Sequence, residues 1–295
     1  MQSADFLSAV FFYLKVGENL NQNWIVENLN NAFSTWNGKL GELWGLVTTG
    51  PQTFKGGAVW SVMQTLHNGM VGIGYALVVL FFAISLCKNT MNFHELKRPE
   101  AAIHYFLRFV AAKTLVGYGM DIMLNVFSIC NGIVIDMADS MGGISEAMVS
   151  LPAEMQTAIE NVGFLASIPL WLVTILGSLF ITVLSFVMIL TVYGRFFRLY
   201  MYTALAPLPL AAFAGESTQS VGISFLKSYV GVCLEGAVIV LACVIYSAFV
   251  GTPTVTGGEA TTIVWSYLAE TVFNMLVLVG LIKGSDRIIH EMMGL

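Results

Sequence analysis

Residues 161–194 read NVGFLASIPLWLVTILGSLFITVLSFVMILTVYG, a run with no charge between Glu160 and Arg195. At 1.5 Å per helical residue it is about 50 Å long, more than the ~30 Å hydrocarbon core of a bilayer. A crossing is therefore expected to begin inside it, near Pro169-Leu170-Trp171. A second charge-free run, GGAVWSVMQTLHNGMVGIGYALVVLFFAISLC, fills residues 56–87 between Lys55 and Lys88. Thinly charged apolar runs follow at about 114–135, 228–250 and 260–282. Each is close to the ~20 residues that one helix needs to span. The expected fold is all-α: a polytopic integral membrane protein with about five transmembrane helices, at 60–87, 114–135, 170–194, 228–250 and 260–282. A hydrophobic fraction of 57% with only 11% charged residues excludes an ordinary soluble domain.

The charges then orient the spans. Lys88, Lys97, Arg98, Arg108 and Lys113 crowd one connection, and Asp136, Asp139, Glu146, Glu154 and Glu160 occupy the next without a base among them. Arg195, Arg198 and Lys227 follow, then a loop with only Glu259, then Lys283 and Arg287. Basic connections stay in the cytoplasm, which predicts an outside N-terminus and a cytoplasmic C-terminus in the plasma (inner) membrane. On that scheme Trp60, Trp171 and Trp265 mark the outer interface, and Tyr193, Phe196, Phe197 and Tyr200 the inner one. The start of the chain lacks the basic region of a secretory signal.

Residues 1–55 are expected as an external amphipathic helical segment, with 56–295 as the transmembrane domain. Ile25, Leu29, Ala32, Phe33, Trp36, Leu40, Leu43, Trp44 and Val47 recur at the spacing of one helix face. Asn28, Asn31, Lys39 and Glu42 take the other side. Leu29, Phe33, Trp36, Leu40 and Trp44 are thus candidates for an external docking face, or else they pack on the chain's own bundle. Phe6 to Leu14 carry a shorter stripe. The segment 199–214 is apolar but short and holds Pro207 and Pro209. Each proline removes a donor, so a broken, re-entrant or interfacial element at the cytoplasmic face is expected. Such backbone needs protein shielding it.

Ionisable groups inside spans are costly and are candidate functional groups. Asp121 lies eight residues past Lys113 and Glu235 eight past Lys227, with Gly117 and Gly231 midway, so Lys-x-x-x-Gly-x-x-x-acid occurs twice. Glu270 sits nearer the middle of span five. These acids either line a cavity as one layer, with the glycines allowing close helix contact, or pair within the bundle. No phosphate-binding loop, H-E-x-x-H or G-x-S-x-G motif occurs. The histidines are scattered, and Cys87, Cys130, Cys233 and Cys243 show no ligand spacing. No catalytic, cofactor or metal residue is expected, and the reading is of a non-enzyme.

Residues 201–213, MYTALAPLPLAAF, then Gly215-Glu-Ser and the helix opening SFLKSYVGVCLEGAVI at 224–239, resemble the TrbL-type conjugal transfer protein. That family is the polytopic inner-membrane subunit of type IV secretion systems, in the version found on conjugative elements. The resemblance covers about 195–250 and carries no catalytic residue. It implies a homo-oligomeric component of the translocation channel, with the other membrane subunits and ATPases, lipids, and a transient single-stranded DNA–relaxase substrate as partners. It also places Arg195, Arg198, Pro207 and Pro209 at the cytoplasmic mouth. An acidic layer would repel phosphates on a DNA path, and no basic stripe for nucleic acid is present. The rival expectation is an ion- or proton-coupled secondary transporter using Asp121, Glu235 and Glu270, although no internal repeat accompanies it. A membrane-embedded enzyme lacks any nucleophile–base or metal spacing.

Overall fold

The computed structural model describes residues 2–90, 99–140, 148–162, 164–249 and 260–294. Lys97, Arg98, Glu146 and Glu259 lie outside the described residues, as do the side chains of the Phe6–Leu14 stripe. All regular structure among the described residues is helical: α1 Gln2–Thr48, α2 Ala58–Thr90, α3 Pro99–Gly117, α4 Gly119–Ser140, α5 Ala153–Glu160, α6 Phe164–Leu205, α7 Pro207–Ala211, α8 Gln219–Phe249 and α9 Ala260–Met293. Short 3-10 turns at Phe54–Gly57 and Ala212–Ala214 precede α2 and follow α7. Among the described residues, five helical stretches are long and apolar enough to cross a membrane: Phe54–Lys88, Gly119–Asp139, Ile168–Leu205, Gln219–Ala248 and Thr262–Met293. Each expected span overlaps one of these helices, and the protein is an all-α polytopic membrane protein.

The helices fall into two compact units. The first gathers residues 1–44, 141–191 and 241–283. In it α1 runs parallel to α6, because the contacts ascend together. Trp24 meets Trp171 with ring centroids 5.6 Å apart, Asn28 Nδ2 donates to the Ser178 hydroxyl at 3.0 Å, and Lys39 lies 5.9 Å from the Phe186 ring. Asn37 holds Val149 by both backbone groups, at 2.7 and 2.9 Å. Phe33 packs edge-on to Tyr267, whose hydroxyl donates to the Ser150 carbonyl. Leu29, Phe33, Trp36 and Leu40 are buried, and Trp44 is half-buried. The expected external docking face is therefore covered by the chain itself. Asn28, expected on the solvent side of α1, is turned to α6 hydroxyl and carbonyl groups instead. The apolar stripe is the buried face of α1, but periodicity does not say whose surface covers it.

The second unit gathers residues 45–140, 192–240 and 284–295. Its core joins Val78, Ala112, Val116, Met123, Phe127, Leu199, Leu210, Tyr229 and Val232. Here α2 runs alongside the end of α6 and then α7. Phe54 stacks on Phe196 with centroids 4.0 Å apart, Trp60 meets Tyr200 at 6.4 Å, and Gly74 abuts Pro207. The common direction agrees with the alternation of charges; the depths do not. Trp60 and Tyr200 are neighbours, so they cannot mark opposite faces of a membrane as the aromatic-belt expectation required. Arg195 and Arg198 misled that expectation. They are not loop residues but part of α6, which continues to Leu205, past its expected end at 194. Lys113, expected at the head of span two, likewise lies within α3, and Lys227 within α8.

The segment 199–214 divides between two helices. Its first residues complete α6, and the break begins at Ala206, before Pro207 at the first position of α7. α7 packs against α2 and α3, and Pro207, Leu210 and Ala211 are buried. Protein shields the broken backbone, as an irregular element at membrane depth demands. Pro207 sits beside Gly74, near the middle of α2, rather than level with either end of that helix.

Candidate functional site

The second unit contains a buried cluster of charges contributed by α6, α8 and α9. Positions 195 and 198 are three apart on α6, so both side chains leave the same side of the helix. Arg198 donates from Nη2 to both carboxylate oxygens of Glu235 at 2.7 Å, and from Nη1 to Asp286 on α9. Ser285 donates to Glu235 Oε1 at 3.3 Å. Glu235 and Ser285 are buried, whereas Asp286 and Arg198 reach the edge of the cluster. Two cations and two anions balance there, and each carboxylate is hydrogen-bonded. That is the condition under which buried charge is tolerated.

Arg195 is 1% exposed and finds backbone rather than carboxylate. It donates to the carbonyls of Val232 at 3.3 Å and Cys233 at 3.2 Å on α8, and to Val47 at 3.4 Å in the last turn of α1. Such last-turn carbonyls have no intrahelical donor, and a cation there also suits the helix dipole. Asn131 reaches the next carbonyl, Thr48, at 3.3 Å. The guanidinium lies flat against α8 because residue 236 is glycine: a Cβ there would stand 2.6 Å from Arg195 Nη1.

A second polar cluster surrounds the helix break. Pro207 has no N–H, so the carbonyl four residues earlier, Thr203, loses its helical donor. His67 supplies one: its Nδ1 lies 2.7 Å from Thr203 O. A carbonyl only accepts, so the proton sits on Nδ1. His67 is 1% exposed and Thr203 is buried. Gly74 makes room for the break, since a Cβ there would meet Pro207 O and Val116 Cγ1, both at 2.9 Å.

The remaining sequence candidates do not converge on one layer. Glu235 is buried and paired, while Asp121 is exposed and lines a cleft of about 510 Å³ with Gly50, Gln52, Asn125 and Asn131. Glu270 is exposed and belongs to the first unit. Lys113 and Lys227 are exposed and form no ion pair with Asp121 or Glu235 among the described residues. The midway glycines do sit at close contacts. A Cβ at Gly117 would meet Tyr75 Oη at 2.8 Å, and one at Gly231 would meet Ile289 Cγ2 at 2.9 Å. Four participants escaped the sequence reading: Asp286, Ser285, Gly236 and His67. His67 carried a usable signal, being the one titratable imidazole in the charge-free run 56–87. Asp286 was hidden between Lys283 and Arg287, where it read as part of a basic helix end.

The fold and the clusters together define a multi-pass helical membrane protein whose buried charges tie helices to one another. A family model described as TrbL/VirB6 plasmid conjugal transfer like protein matches residues 36–207, more than half of the chain. The chain belongs to the TrbL/VirB6 conjugal transfer family, and so to the membrane components of type IV secretion, a structural family rather than a known enzyme family. The match takes in His67, Arg195, Arg198 and Pro207; Glu235 and Asp286 lie beyond it. No match was found among curated proteins or among solved structures.

Proposed function

We propose that this chain is a structural, channel-forming subunit of a conjugative type IV secretion system in the inner membrane. It assembles as a homo-oligomer and helps to pass a single-stranded DNA–protein substrate, with energy supplied by ATPases elsewhere in the apparatus. The family match over residues 36–207 carries this reading. The arrangement of the charge cluster agrees with a passive role, because Arg198 is committed to two carboxylates and Arg195 to three carbonyls. Its partners are further copies of itself, the other membrane subunits and lipids. We place the N-terminus outside and the C-terminus in the cytoplasm. The supporting features are exposed Lys88 at one end of α2 and the lack of any Lys or Arg between Asp136 and Glu160.

Native mass measurement on the detergent-extracted complex tests the assembly: a multiple of 32.1 kDa is expected, and a strictly monomeric chain contradicts it. Exposed Glu270, inside the candidate span Thr262–Met293, favours the transporter as the second reading. In proteoliposomes the chain alone is expected to drive no proton-coupled uptake. Uptake that Glu270→Gln abolishes would establish the transporter instead.

A further inference from the structure

α4 is two-sided in an unusual sense for a helix long enough to cross a bilayer. Met123, Phe127, Cys130, Val134 and Ala138 face inward and are buried. Asp121, Asn125, Ser128, Gly132, Asp136 and Asp139 recur at helical spacing on the opposite side. All of these are exposed except Gly132, which is half-buried and has nothing within 4 Å of its would-be Cβ. The stripe runs the length of the candidate span Gly119–Asp139, the least apolar of the five. Among the described residues no cation pairs with its three acids. Hydrocarbon is the wrong solvent for such a face, because charged and amide side chains in a span turn to protein or to a water-filled space. Protein of this chain does cover the apolar side, whereas Asp121, Asn125 and Ser128 of the polar side line the cleft of about 510 Å³ walled by Gly50, Pro51 and Gln52.

We infer that the Asp121–Asp139 face of α4 lines an aqueous, cation-attracting path through the assembled protein. This rests on reading the chain as a channel-forming subunit, and the path it names is one for water and cations, distinct from the route of the DNA strand. The path carries negative charge at both ends and no base on the stripe, so it admits water and cations and repels free phosphates.

Thiol labelling in intact membranes of cells carrying the complete secretion apparatus tests it. The background is Cys87→Ser, since Cys130, Cys233 and Cys243 are buried. Asn125→Cys and Ser128→Cys sample the stripe, and Ile129→Cys and Ile133→Cys sample exposed apolar positions on its flank. The reactive form is the thiolate, which forms in water and not in lipid. The stripe positions are therefore expected to react with a membrane-impermeant methanethiosulfonate at least about 10-fold faster than the flank. At position 125 a cationic reagent should outpace an anionic one, and Asp121→Asn should remove that preference.

Equal labelling of all four positions overturns the proposal, since α4 would then be surrounded by water. So does an unlabelled stripe, and so does an unlabelled stripe that cross-links between copies, which would show a second subunit covering it. Equal rates for the two reagents overturn the electronegative character of the path. Each variant is also scored for conjugal DNA transfer. Retained transfer shows the variant folds and that the family function stands, so a negative labelling result counts against α4 alone.

Discussion

Glu235 has a guanidinium on one side and a serine hydroxyl on another, and it is 1% exposed. Removing one partner of such a pair leaves an uncompensated charge, which costs about 3–5 kcal/mol, far more than the pair contributes over an apolar substitute. Glu235→Ala is thus expected to lower the thermal stability of the purified protein sharply. Adding Arg198→Ala should recover part of the loss, with a coupling of about 1–3 kcal/mol. Strict additivity of the two would show that the pair does not form. Gly236→Ala pits two effects against each other. Alanine favours an exposed helix interior by about 1 kcal/mol over glycine, but here a Cβ would stand 2.6 Å from Arg195 Nη1. Overpacking costs about 1–3 kcal/mol, and the three carbonyl bonds of Arg195 would be disturbed as well. The clash wins, and a lower melting temperature is expected. Gly280→Ala, with nothing within 4 Å, is the control that should not destabilise.

At the scale of elements, the proline break and α2 form one device. The break was legible, because two prolines two apart in an apolar stretch cannot continue a regular helix. Its position and its cover were not, since Ala206 rather than Leu199 is where α6 gives way and the partners come from distant sequence. His67→Ala should leave the buried Thr203 carbonyl unpaired and cost about 1–3 kcal/mol. With Pro207→Ala an N–H returns at that position, so the same His67→Ala substitution should then cost clearly less. Thermal unfolding of the four proteins measures this. An undiminished cost in the Pro207→Ala background would mean that His67 serves packing alone.

On the scale of the whole molecule, composition and run length sufficed for the fold class, since lipid imposes long apolar helices and little else. The five long apolar helices followed from run length, and the charge signs added an expected orientation for them. Depth did not follow, because Arg195 and Arg198 counted as anchors for a membrane face while their charges are spent on Glu235, Asp286 and backbone carbonyls. The positive-inside rule is blind to that difference. The candidate site was half legible: Arg195, Arg198 and Glu235 stand out as charges in apolar surroundings, whereas Asp286 needed the fold to bring α9 against α6. The family assignment implies a role whose loss is measurable in cells.

Conjugal transfer frequency in a strain lacking this chain is the most direct measure of that role. The account predicts that in-frame deletion abolishes transfer, that the wild-type chain supplied in trans restores it, that Glu270→Gln restores it equally, and that Glu235→Ala does not. Undiminished transfer from the deletion strain would contradict the assignment of this protein to the secretion channel.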